Sequence, residues 1–401
     1  MTKRLITFRR VTAGIIFWIA AVFFLLLPFF HFGDYTLQHY GNFATALLHG
    51  SLALPDPHAV SDLGIFENVH YLVFGPAPVL LFLPFAVLGE VLHVVFSERD
   101  IQFAVVVGVF FLIVLLAERL GFRRSDGIIF AVAFCIASPF LGVALIPISS
   151  YFAHIFCFGV ALLALYEWRG KRRWSFVGLC MALVFATRLT AGIGIIFFVL
   201  DILLRAAPPQ EKARNLWKLL WPVVLTAAVL GLYNWVRFQS PFDSGYAFQA
   251  LGSDAENVLR NSGMFAAHHV ANNAWYLLFA LPNVVWYSGG LPLFFPNPWG
   301  LSLFFTSPYL LYFFFWRRVL RSTKIALVTM LVVLFPILLW WSTGYTQYGY
   351  RFALDFLPFI LFAFLREYKK RYETVRPGFA ILVIAAALTN MVLALMLFLR
   401  F

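Results

Sequence analysis

Long apolar runs separated by short polar clusters dominate the chain. They cover roughly residues 11–31, 76–96, 101–117, 127–147, 154–168, 175–204, 217–236, 300–316, 325–342, 353–365 and 377–399. Crossing the hydrocarbon core takes about 20 apolar residues in helical form, so most of these runs predict membrane-spanning helices. Two behave differently. The run at 76–96 opens with Pro76-Ala77-Pro78 and contains Pro84, which suits a helix that lies in the outer interface or re-enters. The run at 175–204 is too long for one straight span and short for two, which predicts two short helices turning near Arg188.

Between the first two runs the period changes. Tyr40, Phe43, Ala44, Leu47 and Leu48 fall on one helical stripe, with Gln38, His39, Asn42, Thr45 and His49 off it. That pattern predicts an interfacial amphipathic helix.

Lysine and arginine then set the orientation, because cytoplasmic loops collect them. If 76–96 does not cross and 175–204 is two helices, 24 of the 30 basic residues fall inside and six outside. If 76–96 crosses, the count inverts to 10 inside and 20 outside; if 175–204 is also one span, it becomes 18 and 12. The first arrangement predicts about 11 spans, with a cytoplasmic N-terminus and an outside C-terminus. Met1–Arg10 is basic and the run that follows is too long for a signal-peptide core, which suits a retained signal anchor. The expected fold is therefore an all-α polytopic membrane protein of the plasma (inner) membrane. It is a single membrane domain over 1–401, with a first outer loop at 32–100 carrying interfacial helices and an outer cap loop at 237–299.

Composition agrees. Of 401 residues, 62% are hydrophobic and 12% charged, too few charges to cover a water-exposed surface. The net charge of +12 is spread over short clusters between apolar runs, which is a topology signal and excludes a nucleic-acid partner. Cys135, Cys157 and Cys180 all sit inside apolar runs without pairing or metal spacing and read as small core residues.

This sidedness puts 11 of the 18 acids on the outer face, together with the six remaining basic residues. Polar chemistry is expected there. Asp34 follows the first span at the bilayer edge, as either a helix N-cap or a base facing a lipid-borne head group. Asp62 and Tyr71 flank a polar stretch ahead of the Pro-Ala-Pro segment. His154 opens the helix after 147–153, for capping and packing or for bonding a sugar or phosphate. Arg188, a cation deep in an apolar run, either binds an anion or pairs with an acid such as Asp34 or Asp355. Arg351 and Asp355 stand four residues apart and could pair on a helix face. Tyr350 and Arg351 also suit a phosphate clamp.

At these residues the chain resembles the membrane-embedded glycosyltransferases of GT-C fold, in particular the bacterial branch similar to protein O-mannosyltransferases (glycosyltransferase family 39-like) and to the aminoarabinose transferase of lipid A. Gly33-Asp34-Tyr35, Tyr71…Pro76-Ala77-Pro78, the stretch Tyr233-Asn234-Trp235 to Gly245-Tyr246, and Gly349-Tyr350-Arg351-Phe352 carry the likeness. The resemblance implies a polyprenyl-phosphate sugar donor at the outer leaflet and a glycan, lipid or protein acceptor. It implies Asp34 as general base of an inverting transfer, and Arg351 with Arg188 on the donor phosphate. There are departures. The family's Asp-Glu pair is Asp34-Tyr35 here, so a second acid must come from elsewhere, for which Asp62 is the candidate. Val73, Phe74 and Gly75 replace the basic residue beside the proline pair. No large soluble domain is expected after the spans, so acceptor recognition is expected to fall to the loops. A divalent metal occurs in some relatives, but no convincing ligand set is visible. The competing class is a transporter or flippase of a lipid-linked or small polar substrate. Such a protein should carry ionisable groups near the midplane and often internal repeats.

The sidedness is testable. A cysteine introduced by Ser253→Cys is expected to react with a membrane-impermeant maleimide from outside intact cells; labelling only after the membrane is opened overturns the arrangement.

Overall fold

The structure is a computed structural model that describes residues 2–33, 35–54, 59–251, 254–286, 290 and 292–398. Its helices are α1 (Thr2–His31), α2 (His39–Leu48), α3 (Val79–Leu92), α4 (Glu98–Arg119), α5 (Arg124–Cys135), α6 (Phe140–Leu145), α7 (Ser149–Arg169), α8 (Trp174–Phe185) and α9 (Leu189–Gly192). They continue with α10 (Ile196–Leu204), α11 (Pro209–Phe238), α12 (Asp254–Asn261), α13 (His269–Leu278), α14 (Leu303–Thr306), α15 (Tyr312–Phe315), α16 (Arg321–Leu339), α17 (Leu357–Arg371) and α18 (Pro377–Phe398). Among the described residues six helices are long and apolar enough to cross a bilayer: α1 from Val11, α4, α7, α11, α16 and α18. The chain is a helical, polytopic membrane protein. The other apolar runs form shorter or broken helices.

The breaks follow local chemistry. Pro139 has no N–H to donate and its ring clashes with a preceding turn, so the run at 127–147 splits into α5 and α6 around Ser138-Pro139. The run at 175–204 breaks at Ala186–Arg188, as expected, and continues through α9, a 3₁₀ turn and α10. Pro308 likewise divides the run at 300–316. α3 has 14 residues, about 21 Å at 1.5 Å per residue, which is short of a full crossing. It starts after Pro78 and ends at His93 in the left-handed region.

The outer loop is more built than its pattern suggested. The α2 stripe is buried at Tyr40, Phe43 and Ala44, but so are Gln38 and His39 on the supposed polar side. The reason is a second layer of contacts. His39 donates its backbone N–H to Ser149 Oγ (2.7 Å), Gln38 Oε1 accepts Arg99 N–H (3.2 Å), and buried Glu98 accepts Tyr40 N–H (3.0 Å) and the Ser149 hydroxyl. Gly41 is required here, because a Cβ would lie 2.0 Å from the Phe96 carbonyl oxygen. Two antiparallel hairpins were not expected. β1 (Leu63–Phe66) pairs with β2 (Val69–Leu72), and β3 (Asn283–Trp286) with β4 (Pro292–Phe295). Glu67 and Asn68, both at positive φ, form the first turn, the geometry that matches strand twist in two-residue hairpins.

Every break frees backbone carbonyls that have no water to bond inside a bilayer. Three buried amides satisfy some of them. Gln102 Nε2 donates to Val143 O and Ala144 O (both 3.1 Å), and Asn273 Nδ2 donates to Trp340 O (2.7 Å) and Leu338 O (3.2 Å). Asn390 Nδ2 donates to Ile136 O (3.1 Å) and Thr306 O (2.8 Å), while its Oδ1 accepts the Tyr348 hydroxyl (2.8 Å). All three cysteines are free and buried in the apolar interior.

Asn390→Leu leaves two carbonyls and a tyrosine hydroxyl buried without partners. It is expected to cost about 1–3 kcal/mol, read as a lowered thermal transition in detergent. An unchanged transition would show that these bonds do not hold the broken helices together.

Candidate functional site

Four of the sequence-predicted residues, Asp62, His154, Arg188 and Arg351, line a cavity of about 950 Å³. It lies between the loop around Asp62 and Val73–Pro76, the α8–α9 break, the C-terminal half of α11, the 240–251 segment, and the stretch from the end of α16 to Phe352. Gly75 permits the first approach: a Cβ there would lie 2.2 Å from Ala186 O, the carbonyl that accepts the Ala77 N–H (3.3 Å). Pro76–Pro78 is thereby clamped onto the break that carries Arg188.

Asp355 forms the base of the site. Its fully buried carboxylate accepts Arg188 Nε (2.8 Å) and Nη2 (3.2 Å) in a bidentate pair, and also accepts the Thr190 hydroxyl. His154 Nδ1 lies 3.4 Å from the same carboxylate. Of the two readings for Arg188, the geometry realises pairing, with Asp355 as the acid. The spacing had offered Arg351 as the partner. Arg351–Asp355 is instead a 3₁₀ turn, where residues three apart eclipse, so positions four apart point about 120° from one another.

Arg351 is left facing the cavity. Its guanidinium carbon sits 5.1 Å from the Tyr151 ring centroid and 5.3 Å from that of Phe352. Among the described residues no carboxylate lies within ion-pair distance of it, and its buried Nε has no hydrogen-bond partner.

Asp62 stands in the cavity wall just before β1, with its backbone at positive φ. Its Oδ1 accepts Gln249 Nε2 (2.9 Å) and its N–H bonds Ala250 O (2.9 Å), so the first outer loop and the 240–251 segment are stitched together at this acid. His39 Nε2, 3.0 Å from Ser61 O, holds the preceding residue. Burial pushes the His39 ring down to about 4, so the neutral ring donates there. Burial raises the Tyr246 phenol against the opposing pull of Arg188, so this cavity-lining hydroxyl stays protonated and can donate.

His154 lies in the cavity wall in the second turn of α7, which begins earlier than expected, at Ser149. Tyr350 and Tyr71 do not line the cavity. Tyr350 is buried and donates its hydroxyl to Asn273 Oδ1 (2.9 Å); Tyr71 packs edge-on against Phe238 (5.4 Å). Asp34 lies outside the described residues. Among the described residues no three His, Cys, Asp or Glu side chains converge to hold a metal ion.

Residues absent from the sequence-based list also line the cavity: Tyr233, Asn234, Arg237, Tyr246 and Gln249. Arg237 is buried, stacked 3.6 Å from the Tyr233 ring centroid, and donates to Leu72 O (2.6 Å) and Asn234 Oδ1 (2.9 Å). It latches β2 to α11. Its signal in the sequence was a lone arginine at the end of an apolar run.

No family model and no curated protein matches the chain. Two solved structures from Archaeoglobus fulgidus are similar over 96% of it: the oligosaccharyltransferase AglB in complex with an inhibitory peptide and a dolichol-phosphate, at 15% identity and a TM-score of 0.43, and the same organism's oligosaccharyltransferase in the apo form, at 16% and 0.42. The chain spans 55% of the length of each.

Removing one member of the buried pair tests its role. Asp355→Ala strands a buried guanidinium and is expected to cost about 3–5 kcal/mol in detergent unfolding. Adding Arg188→Met is expected to restore most of it, since a buried pair contributes little net stability. Equal loss in single and double variants would refute the coupling.

Proposed function

We propose that the protein is a membrane glycosyltransferase that moves a sugar from a polyprenyl-phosphate donor to an acceptor hydroxyl at the outer face. The observation that carries this reading is Arg351: a cation in a large cavity, without a carboxylate among the described residues, and with a buried Nε left unbonded. Such a group is suited to an anion that arrives with a substrate.

The chemistry is simple to balance. The bond from the sugar's anomeric carbon to the phosphate oxygen breaks, and the pair of electrons leaves on a lipid phosphate. Arg351 stabilises that anion, which needs no protonation. Arg188, already neutralised by Asp355, orients the wall beside it. The acceptor oxygen forms the new bond to the anomeric carbon, and its proton passes to a carboxylate. Asp34 is the proposed base, and Asp62 is the second acid that orients the acceptor. His154 completes the polar lining.

Purified protein given a polyprenyl-phosphate sugar and an acceptor is expected to release polyprenyl phosphate. Arg351→Gln should lower the rate about 10²–10³-fold, as for removal of one preorganised donor to a developing anion. Asp34→Asn should abolish release while the thermal transition stays in place. Full turnover in Arg351→Gln would refute the phosphate role, and full turnover in Asp34→Asn the base. Uptake of the lipid into the opposite leaflet without bond cleavage would identify a flippase instead.

A further inference from the structure

The end of the helical bundle away from the cavity carries its own concentration of charge. α7 contributes His154 to the cavity and ends at Arg169, about 22 Å further along its axis. α17 runs from beside Asp355 to Arg366 and beyond. The two meet where the Trp168 ring packs on Phe362 (5.1 Å) and Phe197 (5.1 Å). Arg172 and Arg205 join them, each 6 Å or less from an indole, of Trp168 (6.0 Å) and Trp174 (5.9 Å) respectively.

These guanidinium groups crowd one another. Burial and the Arg169 charge act against the charge on Arg366, opposed by Glu367, and burial, Arg205 and Arg169 act against that on Arg172, opposed by Asp201. Asp201 is the acid in their midst. It is already engaged by Arg205 and accepts the Trp168 indole N–H (3.0 Å). Arg169 Nε and Arg366 Nε are both buried without a hydrogen-bond partner. Beside them Leu203 and Leu204 are exposed (46% and 56%), and Lys212 donates to the Leu203 carbonyl (2.9 Å).

We propose that Arg169, Arg172, Arg205 and Arg366 form a binding site for the phosphate of an anionic phospholipid, whose acyl chains lie along Leu203 and Leu204. Arg169 and Arg366, each with a buried Nε left unfilled, supply the donors, with Arg172 on the exposed side and Arg205 at the rim; a phosphodiester matches the guanidinium fork. The adjoining apolar side chains favour an amphiphile over a soluble anion. Basic clusters between helix ends are the sites where anionic head groups settle.

The test is native mass spectrometry and thermal unfolding of the full chain in detergent, with phosphatidylglycerol, phosphatidylcholine or inorganic phosphate added. Phosphatidylglycerol is expected to be retained preferentially and to raise the transition. The Arg169→Gln/Arg366→Gln variant should lower its retention roughly tenfold and leave phosphatidylcholine unaffected. Should that variant fail to fold, the exposed-side Arg172→Gln is expected to weaken retention in the same direction. Equal retention of the two lipids by the natural chain, or unchanged retention in a folded variant, overturns the site. A transition raised as far by inorganic phosphate as by phosphatidylglycerol overturns the lipid assignment.

Discussion

A fully buried carboxylate, Asp355, accepts both arms of the Arg188 fork and the Thr190 hydroxyl, with His154 alongside. This ties together three pieces of chain that are distant in sequence: the α8–α9 break, the second turn of α7, and the 3₁₀ turn that leads into α17. Taking two charges out of water costs several kcal/mol per ion, so the pair is a poor source of net stability. Its effect is positional. Once Arg188 is held there, the break at Ala186–Arg188 has one conformation, and Gly75 can close onto it. Asp355 also explains why Arg351, its near neighbour in sequence, is left available. Asp355 engages Arg188 and not Arg351, and the 3₁₀ turn decides which, so that among the described residues no carboxylate lies within ion-pair distance of Arg351.

The apolar runs and the break in 175–204 were legible because they are local properties. The runs at 127–147 and 300–316 were read as unbroken, and the structure divides them at Pro139 and Pro308. The shortness of α3 was legible from Pro76, Pro78 and Pro84 for the same local reason. What escaped depends on contacts across long separations. Gln249 meets Asp62 only because β1 bridges Gly64 to Gln249, and nothing in either segment announces the other. Gln38 and His39 look polar on a helical wheel and are buried because Ser149 and Arg99 come to cover them. Tyr350 and Tyr71 belong to attractive motifs but lie off the cavity, one bonded to Asn273 and the other packed on Phe238. The first hairpin could have been found, since Asn68 closes a two-residue turn between alternating strands.

Two lone amides within apolar runs, Gln102 and Asn390, were a readable signal of a different kind; Asn273, in the outer cap loop, was not. Gln102, Asn273 and Asn390 are polar residues whose partners are backbone carbonyls released where other helices break. The cause is the solvent: inside a bilayer an unbonded carbonyl cannot turn to water, so each break must be matched by a donor from another helix.

That constraint also bears on why the cavity sits where it does. Irregular backbone at membrane depth is tolerated only when buried in protein or lining a polar cavity. The break at Ile136–Pro139 is sealed by Asn390, and the end of α16 by Asn273. The break at Ala186–Arg188 has a different solution. Ala186 O is bonded by Ala77 N–H, but the chain there opens onto the cavity and presents Arg188 to it. An amide can close a break and leave it inert. Here a backbone N–H closes the carbonyl, and the Arg188–Asp355 ion pair beside it adds a charged, hydrogen-bonding wall. The choice of a salt bridge at the Ala186–Arg188 break, at greater desolvation cost than an amide, is what gives the cavity a charged wall.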